Sequence, residues 1–272
     1  MTRKAFDFLK IHELPPKPRK KAVVEIRGPY YTSVSLSYLK GLLEDWSEYF
    51  DGFKFAGGSQ RLLNYDRVRE IINLCHDYGV YVSTGGMIER VILQGEKAVE
   101  QYLEECKSLG FDVVEISSGF IDMPLDYKLS LVKEVQKRSM KAKPEISLMK
   151  GAGGGTHIIG YELELRALDD FFKEIEKFLA SNVEMLMIES EGLTEDLPPE
   201  KWRLDVIKEM IAKFGYEKLM FEAADPPVFK WYIKNVGRDV NVFIDHSQIV
   251  EFNAWRLGLW GDRDLWKNLK LR

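Results

Sequence analysis

The chain contains little cysteine, and none of it is paired in the way that structural zinc sites require. Its 272 residues include two cysteines, Cys75 and Cys106, each beside apolar residues in a helical pattern. No Cys-x-x-Cys motif is present, which excludes the common zinc-ribbon and dithiol redox sites. Two reduced, buried thiols are typical of a cytosolic protein, so we expect a cytoplasmic location.

Long apolar runs and a strong charge of either sign are also absent. No run approaches the roughly 20 apolar residues that span a bilayer, and the N-terminus lacks a signal-peptide core. The formal net charge is −4, and 45% of the residues are hydrophobic. The basic segment 17–21 is interpreted as a solvated entry to the first strand. We therefore expect a globular protein that binds neither membranes nor nucleic acids.

The sequence repeats a short apolar strand pattern followed by a helical pattern. The eight predicted strands begin near residues 22, 52, 80, 112, 142, 184, 218 and 240. This alternation indicates a parallel sheet, and eight units in about 250 residues fit a closed (β/α)8 barrel of the TIM type. An open doubly wound sheet is the alternative, but it would not favour the number eight. We predict one α/β domain over residues 22–272, preceded by an N-terminal extension, residues 1–21, in which Phe6, Phe8, Leu9 and Ile11 pack as a cover.

Charged side chains stand at or near the carboxyl end of nearly every predicted strand. They are Glu25 and Arg27, Lys54, Glu115, Glu145 and Lys150, Glu189 and Glu191, Glu222 and Asp225, and Asp245 and His246. Isolated charges inside a barrel are unfavourable, so these groups must pair, bind a cation or face a wet pocket. In this fold the carboxyl ends of the strands form the mouth where active sites lie. The pattern indicates an enzyme site, and the alternative is a structural layer of salt bridges inside the barrel.

The fifth predicted strand and the loop after it combine several features of an active site. The strand carries Glu145, ends near Lys150 and opens into the glycine-rich residues 151–155. A strand that brings a carboxylate and an amine to a flexible loop is typical of catalytic sites in such barrels. We predict Glu145, Lys150 and Lys54 as catalytic residues.

The remaining candidates point to a metal and to an anion. Oxygen ligands suit Mg²⁺, which usually keeps several waters, so we predict a Mg²⁺ site among four carboxylates. These are Glu115, Glu145, Glu189 and Glu222. Cationic side chains and glycine N–H groups suit a small anionic, phosphorylated substrate. The predicted substrate-binding residues are Arg27, Gly57, Gly58, Gly85, Gly86, Gly153, His157 and His246, and for the two histidines an acid–base or a structural role is equally open.

Tryptophans are concentrated in the last predicted helices. They are Trp202, Trp231, Trp255, Trp260 and Trp266. Packing between helices or a subunit interface explains them better than ligand stacking. We expect a homo-oligomer.

Motifs in order along almost the whole chain resemble the phosphosulfolactate synthase family. They are Phe-Asp-Phe-Leu at 6–9, Phe-Lys-Phe-Ala-Gly-Gly at 53–58, Gly85-Gly86 with Glu89, Leu-Gly-Phe-Asp-Val-Val-Glu-Ile-Ser at 109–117, Glu145, Met-Ile-Glu at 187–189, Phe-Glu-Ala at 221–223 and Leu-Gly-Leu-Trp-Gly-Asp at 257–262. The resemblance implies a (β/α)8 barrel that adds sulfite to phosphoenolpyruvate with Mg²⁺, on a route to coenzyme M. A plant heat-stress-associated protein is similar as well, so the family includes more than one function.

The resemblance also implies roles for particular residues. Sulfite would attack the methylene carbon of phosphoenolpyruvate, and negative charge would develop as an enediolate. Mg²⁺ held by Glu145 and Glu189 would stabilise that charge. Lys150 would protonate the adjacent carbon, while Lys54 and Arg27 would hold the anionic groups of the substrates.

The sequence departs from the family pattern at three positions that bear on anion binding. The first strand ends Ile26-Arg27-Gly28 instead of Asp-Lys-Gly, and Lys150 lies five places beyond Glu145 instead of three or four. The family's Gly-Arg-Glu-Ser after strand six is replaced by residues 190–193, Ser-Glu-Gly-Leu, which contain no arginine. Two alternatives follow, a related lyase or aldolase with another small anionic substrate and a non-catalytic stress-associated protein. The retained charges at the barrel mouth count against the second.

Overall fold

Eight parallel strands close into a barrel in chain order, with the last strand paired to the first. The computed structural model describes residues 4–150, 165–195, 197–223 and 225–267. The strands are β1 (Val24–Arg27), β2 (Gly52–Lys54), β3 (Tyr81–Ser83), β4 (Val113–Ile116), β5 (Lys141–Ile146), β6 (Leu186–Ile188), β7 (Leu219–Glu222) and β8 (Asn241–Asp245). The predicted (β/α)8 barrel is confirmed, and the open sheet is excluded.

Helices follow the strands and cover the outside of the barrel. They are α1 (Leu36–Trp46), α2 (Tyr65–Asp77), α3 (Ile88–Ile92), α4 (Glu96–Leu109), α5 (Leu125–Lys137), α6 (Leu168–Ala180), α7 (Leu204–Phe214), α8 (Pro226–Asn235), α9 (Ile249–Leu257) and α10 (Arg263–Lys267). The single helix expected between β3 and β4 is two helices, because Gly95, the residue before α4, adopts a positive φ of 91° that interrupts the helical path after α3. None of the helices in the described ranges is both long and apolar enough to cross a bilayer.

Alternation along the strands separates an outer apolar face from an inner, mostly polar one. Val24 and Ile26 belong to the large core between the sheet and the helices, so Glu25 and Arg27 point into the barrel. A small apolar cluster of Val23, Met187, Met220 and Phe243 packs apart from that core, on the inner face of the strands. The charged side chains therefore lie inside the barrel, among and above these apolar groups.

Gly52 shows how tightly the barrel interior is filled. A Cβ atom at this position would lie 2.2 Å from the ring of Tyr81 on the neighbouring strand. Glycine therefore leaves the space that the tyrosine ring takes inside the barrel. The interior is a packed layer of side chains rather than a channel.

The N-terminal extension is attached beneath the barrel by ion pairs. Arg19 contacts Asp51 at 2.9 Å and Lys21 contacts Asp239 at 2.6 Å, just before strands β2 and β8. Phe6 and Phe8, however, are 72% and 80% exposed. The prediction that these aromatic side chains pack as a cover is wrong, since they contact each other edge to face, with ring centroids 6.4 Å apart, and otherwise face solvent.

Candidate active site

A row of alternating charges crosses the inside of the barrel. Lys143 forms ion pairs with Glu25 and, at 3.1 Å, with Glu115. Lys54 lies 2.6 Å from the other oxygen of Glu115 and 3.5 Å from Glu145. The row runs from β1 through β5, β4 and β2 to the upper part of β5. The sequence left two alternatives open, an enzyme site and a structural layer of salt bridges, and the row contains both. Glu25, Lys143, Glu115 and Lys54 form the salt-bridge layer, and Glu145 reaches the mouth of the barrel.

Glu115 lies in the lower part of this row. Its side chain is fully buried, and its two oxygens face the ammonium groups of Lys54 and Lys143. Glu115 pairs with Lys143 in the β4–β5 register, two residues before Glu145 along β5. The pKa of Glu115 is lowered, because the two lysines outweigh the effect of burial. This position favours a structural ion-pair role for Glu115 over the metal-binding role expected from the sequence.

Glu145 lies one layer higher and faces a cavity. Burial and then the charge of Glu115 raise the pKa of Glu145 to about 7, although Lys54 acts in the opposite direction. Lys54 itself has a raised pKa, since Glu115 and Glu145 overcome the lowering that burial causes. Glu145 can therefore gain or lose a proton near neutral pH, while Lys54 stays charged beneath it.

Ser117 connects Glu145 to the loop between β4 and α5. Its Oγ lies 2.6 Å from Glu145 and 2.5 Å from Glu89, yet one hydroxyl can donate only one proton. Glu89 also accepts the backbone N–H groups of residues 119–121 at 2.7–3.0 Å. A protonated Glu145 that donates to Ser117 satisfies both short contacts. Glu89, a family landmark without an assigned role in the sequence, holds this loop in place.

Glu189 and Glu222 share a site at the ends of β6 and β7, next to Glu145 on the neighbouring strand β5. Burial raises the pKa of Glu189 well above its ordinary value, and the charges of Glu222 and Glu145 raise it further. Burial acts in the same direction on Glu222, but a hydrogen bond from Glu189 and the charge of Arg27 lower its pKa to about 2. Ser190 Oγ also lies 3.1 Å from Glu222. Glu189 is therefore protonated and donates a hydrogen bond to the ionised Glu222, unless a bound cation replaces this proton.

Glu195 completes this group, although it was not among the residues predicted from the sequence. Oxygens of Glu189, Glu195 and Glu222 all lie within 4.8 Å of one another. The chain curls back after β6, where the N–H groups of residues 193, 194 and 195 all bond to the carbonyl of Ser190 at 2.9–3.1 Å. Ser190 Oγ also contacts the Glu195 carboxylate. The acidic residues after strand six were visible in the sequence, but only the turn shows which one returns to the site.

These three carboxylates fit a hard divalent cation. Mg²⁺ takes oxygen ligands, one or two of which are usually carboxylates, and keeps water in the other positions. Burial is the main cause of the raised pKa of Glu189, and the charges of Glu222 and Glu145 add to it, so a bound cation would stabilise the ionised form of this carboxyl. Of the four predicted ligands, Glu189 and Glu222 belong to the group. Glu145 lies close enough for its charge to act on Glu189, and Glu115 lies beneath Lys54.

Arg27 and His246 lie at the ends of β1 and β8, and Arg27 contacts Glu222. Arg27 forms an ion pair with Glu222 and donates to the hydroxyl of Tyr31 at 3.0 Å. The ring nitrogens of His246 face the carbonyl of Arg27 at 2.9 Å and the hydroxyl of Thr32 at 3.4 Å. His246 is buried by these contacts, which fix the end of β1. Its contacts favour a structural role over substrate binding.

The predicted glycines occupy the turns after β2 and β3. Gly85 has a φ of +61°, and a Cβ there would lie 2.1 Å from the carbonyl oxygen of Phe55, so the close approach of two loops requires glycine. Gly57 and Gly58 are also left-handed, and Gly86 lies against Ser117. Anion binding by these four residues stays a prediction. The predicted residues Gly153 and His157 lie outside the described ranges.

A cavity of about 750 Å³ opens above β4, β5 and β6. Glu145 and Glu189 line one side, and Lys150 lies exposed at its edge. Lys54 and Glu115 do not line it, since they lie below its floor. The structure thus brings Glu145, Glu189 and Lys150 around one opening, as expected from the sequence. Six further charged residues line the cavity that were not predicted from the sequence. Asp122, Asp170 and Lys173 lie at its exposed rim, and Lys128, Arg166 and Glu174 are buried or half-buried.

Known proteins are similar to this chain in sequence or in fold. The chain is 31% identical over 260 residues to Protein HEAT-STRESS-ASSOCIATED 32 of Arabidopsis thaliana, covering 92% of this chain and 90% of that protein. It is 25% identical over 266 residues to phosphosulfolactate synthase of Methanothermobacter thermautotrophicus, covering 95% and 96%. The crystal structure of KGPDC from Streptococcus mutans is similar in fold alone, with a TM-score of 0.54 and 10% identity over 88% of this chain and 98% of that one.

The agreement with one protein family extends from the N-terminal extension to the last helices. The match covers residues 12–262 and includes every strand of the barrel and each carboxylate of the site. The resemblance that the sequence motifs indicated is confirmed. The chain belongs to the (2R)-phospho-3-sulfolactate synthase (ComA) family.

Proposed function

We propose that this protein is a phosphosulfolactate synthase-like lyase, which adds sulfite to phosphoenolpyruvate with Mg²⁺. The observation that carries the proposal is one cavity that brings a proton-exchanging carboxyl, a carboxylate group and cations together. Glu145 and Glu189 line it, and Lys150 lies at its edge. Lys54 lies below Glu145, and Arg27 pairs with Glu222, the neighbour of Glu189. Small anionic substrates suit this arrangement because cations and a metal offset their charge.

Glu189, Glu195 and Glu222 would hold Mg²⁺ in this proposal. When bound, the ion would stabilise the negative charge that develops on the substrate carboxylate. Arg27 keeps Glu222 ionised, and the curled turn after β6 presents Glu195 to the other two carboxylates. The chain's own contribution is thus a preformed acidic pocket that needs little rearrangement.

The reaction also needs one proton. Sulfite sulfur forms a bond to the methylene carbon of phosphoenolpyruvate, and the carbon that bears the phosphate ester then takes a proton. We assign this proton to Lys150, which lies at the edge of the cavity. Lys54 stays charged below Glu145 and supplies fixed positive charge. Glu145, with a pKa of about 7, can take up or release a proton during the reaction.

Incubation with phosphoenolpyruvate, sulfite and Mg²⁺ tests the proposal, with mass spectrometric detection of phosphosulfolactate. Glu145→Gln and Lys150→Ala should abolish product formation while both variants stay folded, as a cooperative melting transition shows. Loss of folding would instead mark these residues as structural. Absence of product from the folded wild-type protein would reject the proposal.

A second candidate function rests on the comparison with the plant protein. The Arabidopsis heat-stress-associated protein is 31% identical to this chain, whereas the methanogen synthases are 25% and 26% identical. The arginine that the family carries after strand six is also missing here. Binding of phosphoenolpyruvate without product formation would favour a lyase or aldolase with another small anionic substrate. Absence of both would favour a non-catalytic, stress-associated role.

A further inference from the structure

A buried or half-buried group of two cations and one carboxylate lines the same cavity as Glu145 and Glu189. Glu174 on α6 forms ion pairs with Lys128 on α5 through one oxygen and with Arg166 through the other. Lys128 and Glu174 are 8% and 4% exposed at their side chains, and Arg166 is 22% exposed. We call these three residues the basic wall. Because both oxygens of its only acid are taken, it carries one net positive charge.

Hydrogen bonds fix the basic wall to the ends of two barrel strands. Lys128 Nζ donates to Ser118 Oγ at 3.1 Å, directly after β4. Arg166 Nη1 donates to the carbonyl of Ser147 at 3.1 Å, two residues beyond Glu145. Within the described ranges, these contacts use two of the five N–H donors of Arg166, counting its ion pair with Glu174. The guanidinium is therefore held in one place beside the cavity, with donors left for a ligand.

The charges around the cavity are distributed over its exposed rim and its buried lining. At the exposed rim, Asp122 and Asp170 are balanced in number by Lys150 and Lys173. The buried lining is acidic at Glu145 and Glu189 and basic at the wall. A net positive charge in a buried position is unfavourable unless an anion comes close to it. A ligand with an anionic end toward the wall and a metal-bound end toward Glu189 matches this polarity.

We propose that Arg166, supported by Lys128 and Glu174, binds the phosphate group of the substrate. It would supply the cation that the family carries after strand six and that residues 190–193 of this chain lack. A planar guanidinium matches two phosphate oxygens at once, which makes arginine suited to this task. The inference rests on the proposed function for the identity of the substrate, but the wall requires only an anionic ligand.

Titration calorimetry with phosphoenolpyruvate, and separately with inorganic phosphate, tests the assignment in the presence of Mg²⁺. Arg166→Gln should weaken both ligands by roughly 10- to 100-fold, the loss expected for a charge-assisted contact. The affinities of Arg166→Lys should lie between those of Arg166→Gln and the wild type. Lysine keeps the positive charge but lacks the planar guanidinium that contacts two phosphate oxygens at once. Lys213→Gln removes a half-exposed cation of α7 that pairs with Glu176, and should leave both affinities unchanged.

A double variant separates ligand binding from a purely structural role. Arg166→Gln with Glu174→Gln removes the cation together with the buried carboxylate that it neutralises, so the net charge is unchanged. If Arg166 only balances Glu174, this variant will bind both ligands as the wild type does, and the proposal is overturned. If Arg166 binds the anion, affinity stays low in the folded double variant. Circular dichroism melting shows which variants fold. If the double variant does not fold, an intermediate affinity of Arg166→Lys supports anion binding by Arg166, and an affinity equal to that of the wild type rejects it.

The outcome also distinguishes this inference from the proposed function. Phosphate binding that depends on Arg166, with no sulfonated product from the wild type, supports the basic wall and rejects the synthase reaction. Product formation with an unchanged KM for phosphoenolpyruvate in the double variant supports the reaction and rejects the wall. Failure of both anions to bind the wild-type protein also rejects the wall.

Discussion

Lys54 Nζ lies 2.6 Å from a carboxylate oxygen of Glu115, and neither side chain is more than 8% exposed. The sequence places both residues near the ends of their strands, where each looked like a ligand for a metal or a substrate. In the structure each neutralises the other, and Lys143 supports Glu115 from the opposite side at 3.1 Å. The barrel therefore uses part of its charge for its own stability and presents the remainder to the cavity.

Glu115→Gln should destabilise the fold. The change leaves Lys54 and Lys143 close together without the carboxylate between them, and breaking a buried pair typically costs about 3–5 kcal/mol. Urea unfolding measures the loss, with Glu134→Gln, an exposed partner of Lys137 and Arg138, as the matched control. Unchanged stability together with a weaker affinity for Mg²⁺ would show that Glu115 is a metal ligand after all.

Glu145 should make the stability of the protein depend on pH. Its pKa is about 7 in the fold, against an ordinary value of 4.5, so the unfolded chain releases this proton first as pH rises. Stability linked to Glu145 is therefore complete below pH 4.5 and is lost as pH rises through 7. We expect the wild type to lose about 2–3 kcal/mol relative to Glu145→Gln across this range.

Paired unfolding experiments at about pH 5 and about pH 8, on either side of the raised pKa, measure this difference. Glu200→Gln, at an exposed position before α7, serves as the control and should follow the wild type. A wild type that gains stability relative to Glu145→Gln as pH rises would contradict the assigned direction. It would mean that Lys54, rather than burial and Glu115, dominates the environment of Glu145.

Glu195→Gln should weaken Mg²⁺ binding and leave the fold intact. The substitution removes one of three converging carboxylates, and even an outer partner of a metal ligand contributes about tenfold or more to affinity. Calorimetric titration with Mg²⁺ measures the effect, and the melting temperature of the metal-free protein should stay within the error of the wild type. Equal Mg²⁺ affinity in this variant and the wild type would remove Glu195 from the metal site.

The sequence predicts which charged residues point into the barrel, but not how deep each one lies. Glu115 and Glu145 have the same kind of environment in the sequence, a polar position on an apolar strand. The β4–β5 register, in which Glu115 pairs with Lys143, sets one of them a layer below the other. The period-two alternation shows which face of the strand a residue is on, but not how high that residue lies along the barrel axis.

Two kinds of site residue were not predicted from the sequence. One lies in an irregular turn, and the others lie on amphipathic helices whose charge pattern is that of an ordinary surface helix. Glu195 belongs to an irregular turn, whose path depends on three N–H groups that converge on the carbonyl of Ser190. Lys128 and Glu174 belong to amphipathic helices, in which charged residues are normally solvated. Their burial follows from the packing of α5 against α6 around the cavity. The alternation of eight strand and helix patterns was enough to predict the barrel, and the charges at the strand ends were enough to predict a site at its mouth.

The most direct measurement of the central claim is the reaction of wild-type protein with phosphoenolpyruvate, sulfite and Mg²⁺ in D₂O, followed by mass spectrometry. The cavity groups should together form the carbon–sulfur bond and protonate the neighbouring carbon from solvent-exchanged groups. The account predicts phosphosulfolactate with one deuterium on the carbon that bears the phosphate ester, and no product from Glu145→Gln. Phosphoenolpyruvate that stays unconsumed by the folded, Mg²⁺-loaded wild type would contradict it.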